Sequence, residues 1–265
     1  MNVLGINAVF HESAAALLVD GKVVSACEEE RFNRVKHAKL SRIDNPHELP
    51  EHAIRFCLDD AGVKASEIDR VAYSFDPELR RAEYHPGWWP DGRMEAQFLR
   101  CLGEVGGSTD RILGRPLGVA LKFVPHHLAH AASAFYPSGF DAAAILVIDG
   151  IGEAACSTLL RGEGARIETI ETLPYPHSLG FVWELASIHL GFSSYDAAKV
   201  MGLAAYGDPN VYRRRARARL QRMCCRQHAG GSDRARLPRA RRARCVRGVV
   251  VQSLAMRRDR QRSAW

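Results

Sequence analysis

The sequence lacks any run of eighteen apolar residues, the length a helix needs to cross a bilayer. No membrane span and no membrane partner are therefore expected. Its first residues lack a basic segment followed by an apolar core, so a secretory signal is not expected either. The seven cysteines, Cys27, Cys57, Cys101, Cys156, Cys224, Cys225 and Cys245, form no CxxC pair. Reduced thiols and a cytoplasmic location are the expectation. From Arg213 onward lysine is missing altogether: that stretch has eighteen arginines and two acids, Asp233 and Asp259. It has no aromatic residue before Trp265, hence no platform on which bases could stack. Nonspecific attraction to phosphate is expected of it, and a specific nucleic-acid partner is not.

Apolar residues make up 46% of the 265 positions, enough for one large domain or two small ones with a real core. The net charge of +7 averages two unlike parts. Residues 1–212 hold 19 of the 37 basic and 28 of the 30 acidic side chains, a balance of about −9, which leaves about +16 for residues 213–265.

The opening reads as a strand over Val3–Ala8, a loop over Asn7–Ser13, and a hairpin. In the hairpin Ala14–Val19 and Val23–Cys27 flank Asp20-Gly21. Glu48–Ala61 places Ile54, Cys57, Leu58 and Ala61 on one helical face, with Gly62 as the stop. Arg70–Phe75 is expected as a strand, and residues 76–92, rich in Pro, Gly and Trp, as a loop bringing Trp88 and Trp89 to the surface. A helix over Glu95–Leu102, a short strand over Lys122–Pro125 and a helix over His126–Tyr136 follow. The opening pattern then recurs. Ala144–Asp149 runs into Gly150-Ile151-Gly152, and Cys156–Leu160 and Ile167–Thr172 flank a glycine turn. Helices are expected over Ser178–Leu190 and Asp196–Ala204. Two such units suggest a duplicated α/β architecture, the plan shared by actin, Hsp70 and sugar kinases, whose paired loops hold a nucleotide.

His126 and His130 lie four apart on the expected helix, so both imidazoles share one face, as a divalent metal would require. Asp149, ending the next strand, offers a hard oxygen. Two histidines and a carboxylate would suit iron, manganese or zinc. The same spacing also fits three ordinary histidines, with His127, near a helix start. Asp149-Gly150-Ile151-Gly152-Glu153 would let backbone N–H groups approach an anion, or simply make a tight turn. Lys199–Ala204 could pack against an adenosine or be a helix end. In the first loop His11 could act as a base or bind phosphate, and Ser13 could be a plain cap. Glu28–Glu30 with Arg31, Arg34, Lys36 and His37 reads as a solvated charged strand end, or as a basic cluster for an acidic ligand.

Taken together, Gly5-Ile6-Asn7, His11-Glu12-Ser13-Ala14-Ala15-Ala16, Glu28-Glu29-Glu30-Arg31-Phe32 and Lys36-His37 resemble the opening of the nodulation-type and antibiotic-tailoring O-carbamoyltransferases. A longer match is His126 to Phe140, followed in order by Asp149–Glu153 and Lys199–Ala204. Glu12 and Ala205 depart from the usual Asp and Pro. The resemblance covers roughly residues 1–210.

It implies a duplicated ribonuclease-H-like fold, with a first subdomain over 1–140 bearing the metal helix and a partial second over 141–212; the irregular arginine-rich tail over 213–265, read from composition, falls outside it. It implies a carbamoyl group passed from carbamoyl adenylate to a hydroxyl of a small sugar-like or antibiotic acceptor. A separate YrdC-like domain would make the adenylate from ATP and carbamoyl phosphate. His126, His130 and Asp149 would bind the metal, usually taken as Fe(II). His11 would be the catalytic base, and Gly150, Gly152, Lys199 and Gly202 would line the nucleotide site. The arginine-only tail is what a GC-rich gene gives when read out of frame, so an incomplete or inactive fragment is expected. The competing expectation is another ATP-binding protein of the actin, Hsp70 and sugar-kinase plan.

Overall fold

The computed structural model describes residues 1–10, 12–39, 45–85, 92–114, 116, 121–193 and 196–208. Strand β1 (Asn2–Asn7) pairs antiparallel with β2 (Ala14–Val19), which pairs antiparallel with β3 (Lys22–Glu28). The β2–β3 turn needs two left-handed residues, and Asp20 (φ 49°) and Gly21 (φ 79°) supply them. A short helix, α1 (Glu30–Asn33), leads on to α2 (Glu51–Ala61), which presents Ala53, Ile54, Cys57 and Leu58 to the sheet and stops at left-handed Gly62. Strand β4 (Arg70–Tyr73) then returns parallel to β1.

Residues 76–92 depart from the loop expectation. Asp76 and Pro77 start a helix, α3 (Pro77–Glu83), in which the Asp76 carboxylate accepts from the N–H groups of Glu78 and Leu79. Trp88 and Trp89 lie outside the described residues. Next come α4 (Gly92–Gly103), α5 (Val105–Leu113) and β5 (Leu121–Phe123), the last parallel to β4.

The first sheet is therefore ordered β3-β2-β1-β4-β5, with β1, β4 and β5 parallel and β2 reversed. That is the ribonuclease-H-like arrangement. Its core holds Leu4, Ile6, Leu17, Ile54, Val71, Tyr73, Phe75 and Leu102.

Helix α6 (His126–Phe135) leaves this sheet and leads to a second one, made of β6 (Ala142–Ile148), β7 (Ala155–Glu163) and β8 (Arg166–Pro174), all antiparallel. The second sheet repeats the first three strands of the first, so the fold is α/β and duplicated, as the recurring pattern suggested. Helix α6 covers one face of it, with Ala131 and Phe135 packed on Ile145, Val147 and Leu160. Gly162 has no side chain because the Phe135 ring occupies that space, 2.7 Å from where a Cβ would stand. Helix α7 (Leu179–His189) follows β8.

Met1–Ser194 form one compact unit; a second begins at Tyr195, and its described part carries α8 (Ala197–Ala204). Among the described residues no helix is long and apolar enough to cross a membrane. The arginine-rich stretch from residue 213 lies outside the described residues.

Candidate metal centre

Helix α6 starts directly after Pro125, so His126 and His130 stand one turn apart on one face. Their Nε2 atoms are 3.1 Å from each other. Asp149, at the end of β6, brings its Oδ2 to 3.2 Å from His126 Nε2 and 3.7 Å from His130 Nε2. The three ligand atoms all lie within 4.8 Å of one another. Donors bound to one ion at about 2.1 Å stand roughly 3–3.5 Å apart. The observed separations are close to that, so these side chains could hold an ion with little movement.

The surrounding hydrogen bonds orient the donors. His126 Nδ1 is 2.9 Å from the Ser74 carbonyl, which can only accept, so Nδ1 carries the proton and neutral His126 presents an Nε2 lone pair. His127, on the neighbouring face, places Nδ1 2.7 Å from Thr158 Oγ1 and Nε2 3.7 Å from Asp149 Oδ2. Asp149 Oδ2 and His127 Nε2 are both buried and lack a well-formed hydrogen bond; the three histidine Nε2 atoms stand 3.2, 3.7 and 3.7 Å from Asp149 Oδ2. A buried carboxylate oxygen costs free energy unless a cation or donor meets it. Its other oxygen accepts from the Gly150 N–H at 2.6 Å.

Electrostatics follow from this crowding. Burial alone would raise the Asp149 pKa, but His126, His127 and the charge of His130 hold it well below the usual carboxylate range. Burial alone would lower the His126 pKa. The Asp149 carboxylate, the Ser74 carbonyl and the charge of Glu153 outweigh it, and the pKa lies above its ordinary value.

The loop from Asp149 to Glu153 is clamped on two sides. A Cβ on Gly152 would stand 3.1–3.2 Å from the His127 ring and from His126 Cβ. A Cβ on Gly180, in the first turn of α7, would fall 2.4 Å from the Gly150 nitrogen and 2.5 Å from the Asp149 carbonyl carbon and oxygen. Ser178 caps α7 by accepting from the Phe181 N–H, and its hydroxyl donates to the Asp149 carbonyl at 3.1 Å. Within the loop, Gly152 N–H donates to the Ala155 carbonyl, so it and the Gly150 N–H both serve the loop's own closure.

His126, His130, Asp149, Gly150 and Gly152 thus meet in one place. Lys199 and Gly202 share α8 in the second unit, where Lys199 pairs with Asp196 at 3.1 Å. His11 lies outside the described residues. Its neighbour Glu12 is left-handed, and the Glu12 N–H donates to the carbonyl of His37, which is left-handed too. In the charged stretch at 28–37, Glu29 is buried and accepts from the Ala53 N–H at 2.8 Å in the first turn of α2, which is a structural task. Sequence reasoning missed the supporting roles of Ser74, His127 and Thr158. It also gave none to Glu153, a buried side chain inside a motif that was singled out.

These features define an α/β protein of duplicated ribonuclease-H-like plan, with two helix-borne histidines and a strand-end carboxylate gathered beside a glycine loop. The chain belongs to the family described as carbamoyltransferase N-terminus, whose model matches residues 2–101 and 102–228.

It is 37% identical over 215 residues to nodulation protein NolNO of Sinorhizobium fredii, covering 78% of this chain and 29% of that protein. It is 34% identical over 228 residues to the uncharacterized protein sll1178 of Synechocystis, covering 78% of this chain and 35% of that one. The chain thus spans about a third of the length of these curated relatives. Among solved structures, YeaZ from Pseudomonas aeruginosa overlays on 67% of this chain and 71% of its own, with 18% identity and a TM-score of 0.34.

Proposed function

We propose that this chain is the metal-holding amino-terminal part of an O-carbamoyltransferase. The reaction would move a carbamoyl group from carbamoyl adenylate to a hydroxyl of a small sugar-like or antibiotic acceptor. The observation that carries the reading is the meeting of His126 Nε2, His130 Nε2 and a buried Asp149 oxygen within one ion's reach. A divalent ion there, Fe(II) by family expectation, would supply Lewis acidity to the carbamoyl carbonyl and neutralise phosphate charge.

The chain's own groups would do the rest. Gly150 and Gly152 would line the nucleotide. The acceptor oxygen would form its bond to the carbamoyl carbon as the bond from that carbon to the phosphate oxygen breaks. AMP would leave with the electron pair, and His11 would take the hydroxyl proton. A YrdC-like domain outside this chain would make the adenylate from ATP and carbamoyl phosphate.

Anaerobic titration of the purified chain with Fe(II), and in parallel with Co(II), tests the reading. One ion per chain is expected, lost in His126→Ala and in Asp149→Asn while folding is retained. Tight ATP binding with no bound transition metal would overturn it in favour of a kinase-like or chaperone-like ATPase.

A further inference from the structure

We propose that Glu153 is a positioning residue for the metal centre: its carboxylate caps helix α6 from the loop that carries Asp149, and so sets His126 against Asp149. The proposal rests on the reading of His126, His130 and Asp149 as a metal site.

Helix α6 has no side-chain cap of its own, because the residue before it is Pro125. Its first N–H groups still need acceptors. Glu153 fills the need from another part of the chain. Its Oε1 accepts from the His126 N–H at 2.9 Å, and Oε2 lies 3.1 Å from the same nitrogen. Oε1 also accepts from the Asp76 N–H at 2.7 Å.

The residue is 2% exposed, and its oxygens face backbone amides, which suits a brace better than a proton carrier. The Glu153 carbonyl accepts from Arg80 Nη1 at 2.5 Å, and Arg80 is gripped by Glu95 through two bonds of 2.8 and 2.7 Å. All three partners are buried. Glu153 therefore ties the first sheet's α3 and the start of α6 to one point.

That point cannot shift without Asp149. Loop bonds from the Asp149 N–H to the Cys156 carbonyl (2.9 Å) and from the Gly152 N–H to the Ala155 carbonyl (2.8 Å) make the segment a short closed unit. One buried side chain thus fixes the spacing between a ligand on the helix and a ligand on the loop. An ionised carboxylate is the strongest acceptor for such amides and also suits the positive end of a helix.

The test uses the full chain and Co(II) as the probe, read by affinity and by the visible absorption of the bound ion. Thermal unfolding without metal reports the fold separately. Glu153→Ala is expected to weaken Co(II) binding about 10- to 100-fold and to change the absorption bands, as losses in the supporting shell of a metal site do. Glu153→Gln keeps the one oxygen that serves both amides, and should restore binding to within about threefold of the parent.

Should the alanine variant fail to fold, Glu153→Asp replaces it. Its carboxylate is one methylene short of the amides, and the same loss is expected. A folded Ala or Asp variant with unchanged affinity and spectrum would overturn the proposal. A parent protein that binds no Co(II) would overturn the metal reading beneath it, a result distinguishable because no variant is then needed.

Discussion

At His126 a proton and a bound metal ion would compete for the same lone pair. Nδ1 is committed to the Ser74 carbonyl, so only Nε2 can accept either. In the metal-free chain Asp149 raises the His126 pKa above its ordinary value, while Asp149 itself stays ionised through any working pH. Metal binding must displace the His126 proton. Affinity should therefore fall as pH drops, by at least about tenfold per unit once that pKa is passed, and more steeply where His130 must shed a proton too. Asp149 adds nothing to the slope. The decline should begin at a higher pH than an ordinary histidine would give. Co(II) titrations from pH 5.5 to 8.5 check this, and an affinity flat across that range would refute it.

The sequence exposed His126 and His130 by their spacing and Asp149 by its place at a strand end. Glu153 and His127 were not readable in the same way. Glu153 meets Asp76 and His126 across 77 and 27 residues, and His127 meets Thr158 across 31. No local pattern encodes contacts that only the folded chain creates.

Among the elements, two helices share one device. Helices α2 and α6 both begin after a proline, Pro50 and Pro125, with no cap from that residue. Each takes a buried glutamate from elsewhere: Glu29 accepts from the Ala53 N–H, and Glu153 from the His126 N–H. The sequence marked the first of these helices by its apolar face, gave the second as a helix over His126–Tyr136, and missed both caps. With α3 the reverse held. Asp76-Pro77 is a helix-start signal, but the Pro, Gly and Trp content of residues 76–92 outweighed it. Helix α5 went unanticipated because it carries Gly106 and Gly107, and burial of Val105, Thr109, Ile112 and Leu113 holds it.

The helix–loop contact at Gly180 yields a sharper expectation. An alanine there would place its Cβ 2.4–2.5 Å from the backbone of Asp149 and Gly150, and backbone yields less readily than a side chain. Gly180→Ala should destabilise by about 1–3 kcal/mol, the usual scale of overpacking. It should weaken metal binding as well, since the displaced atoms carry Asp149. Gly107 is the control. Among the described residues nothing lies within 4 Å of its Cβ position. Gly107→Ala should stabilise α5 by about 0.5–1 kcal/mol and leave metal affinity alone. Denaturant unfolding and Co(II) titration of both variants decide the point; equal behaviour of the two would remove the clamp from the account.

At the scale of the whole molecule, the two sheets are unequally covered among the described residues. Strand β1 has neighbours on both edges, β2 and β4, whereas β6 pairs with β7 alone among the described residues. The run Ala142–Ile148 is nevertheless apolar throughout, the composition of a strand buried on both faces. Its inward side chains, Ile145 and Val147, lie under α6. Its outward ones do not: Leu146 is 64% and Ile148 53% exposed, and Leu173 of β8 adds to the same face. An apolar strip along a strand with one edge open among the described residues invites association. The purified chain should therefore self-associate as its concentration rises. Leu146→Lys should suppress this at a stability change within about 0.5 kcal/mol, because the site faces outward. Val147→Lys, one residue along, would bury an unpaired ammonium and should prevent folding. Light scattering across a concentration series, with thermal unfolding beside it, separates the two. If Leu146→Lys unfolds the chain, or leaves association unchanged, then this face of β6 is not the surface that drives it.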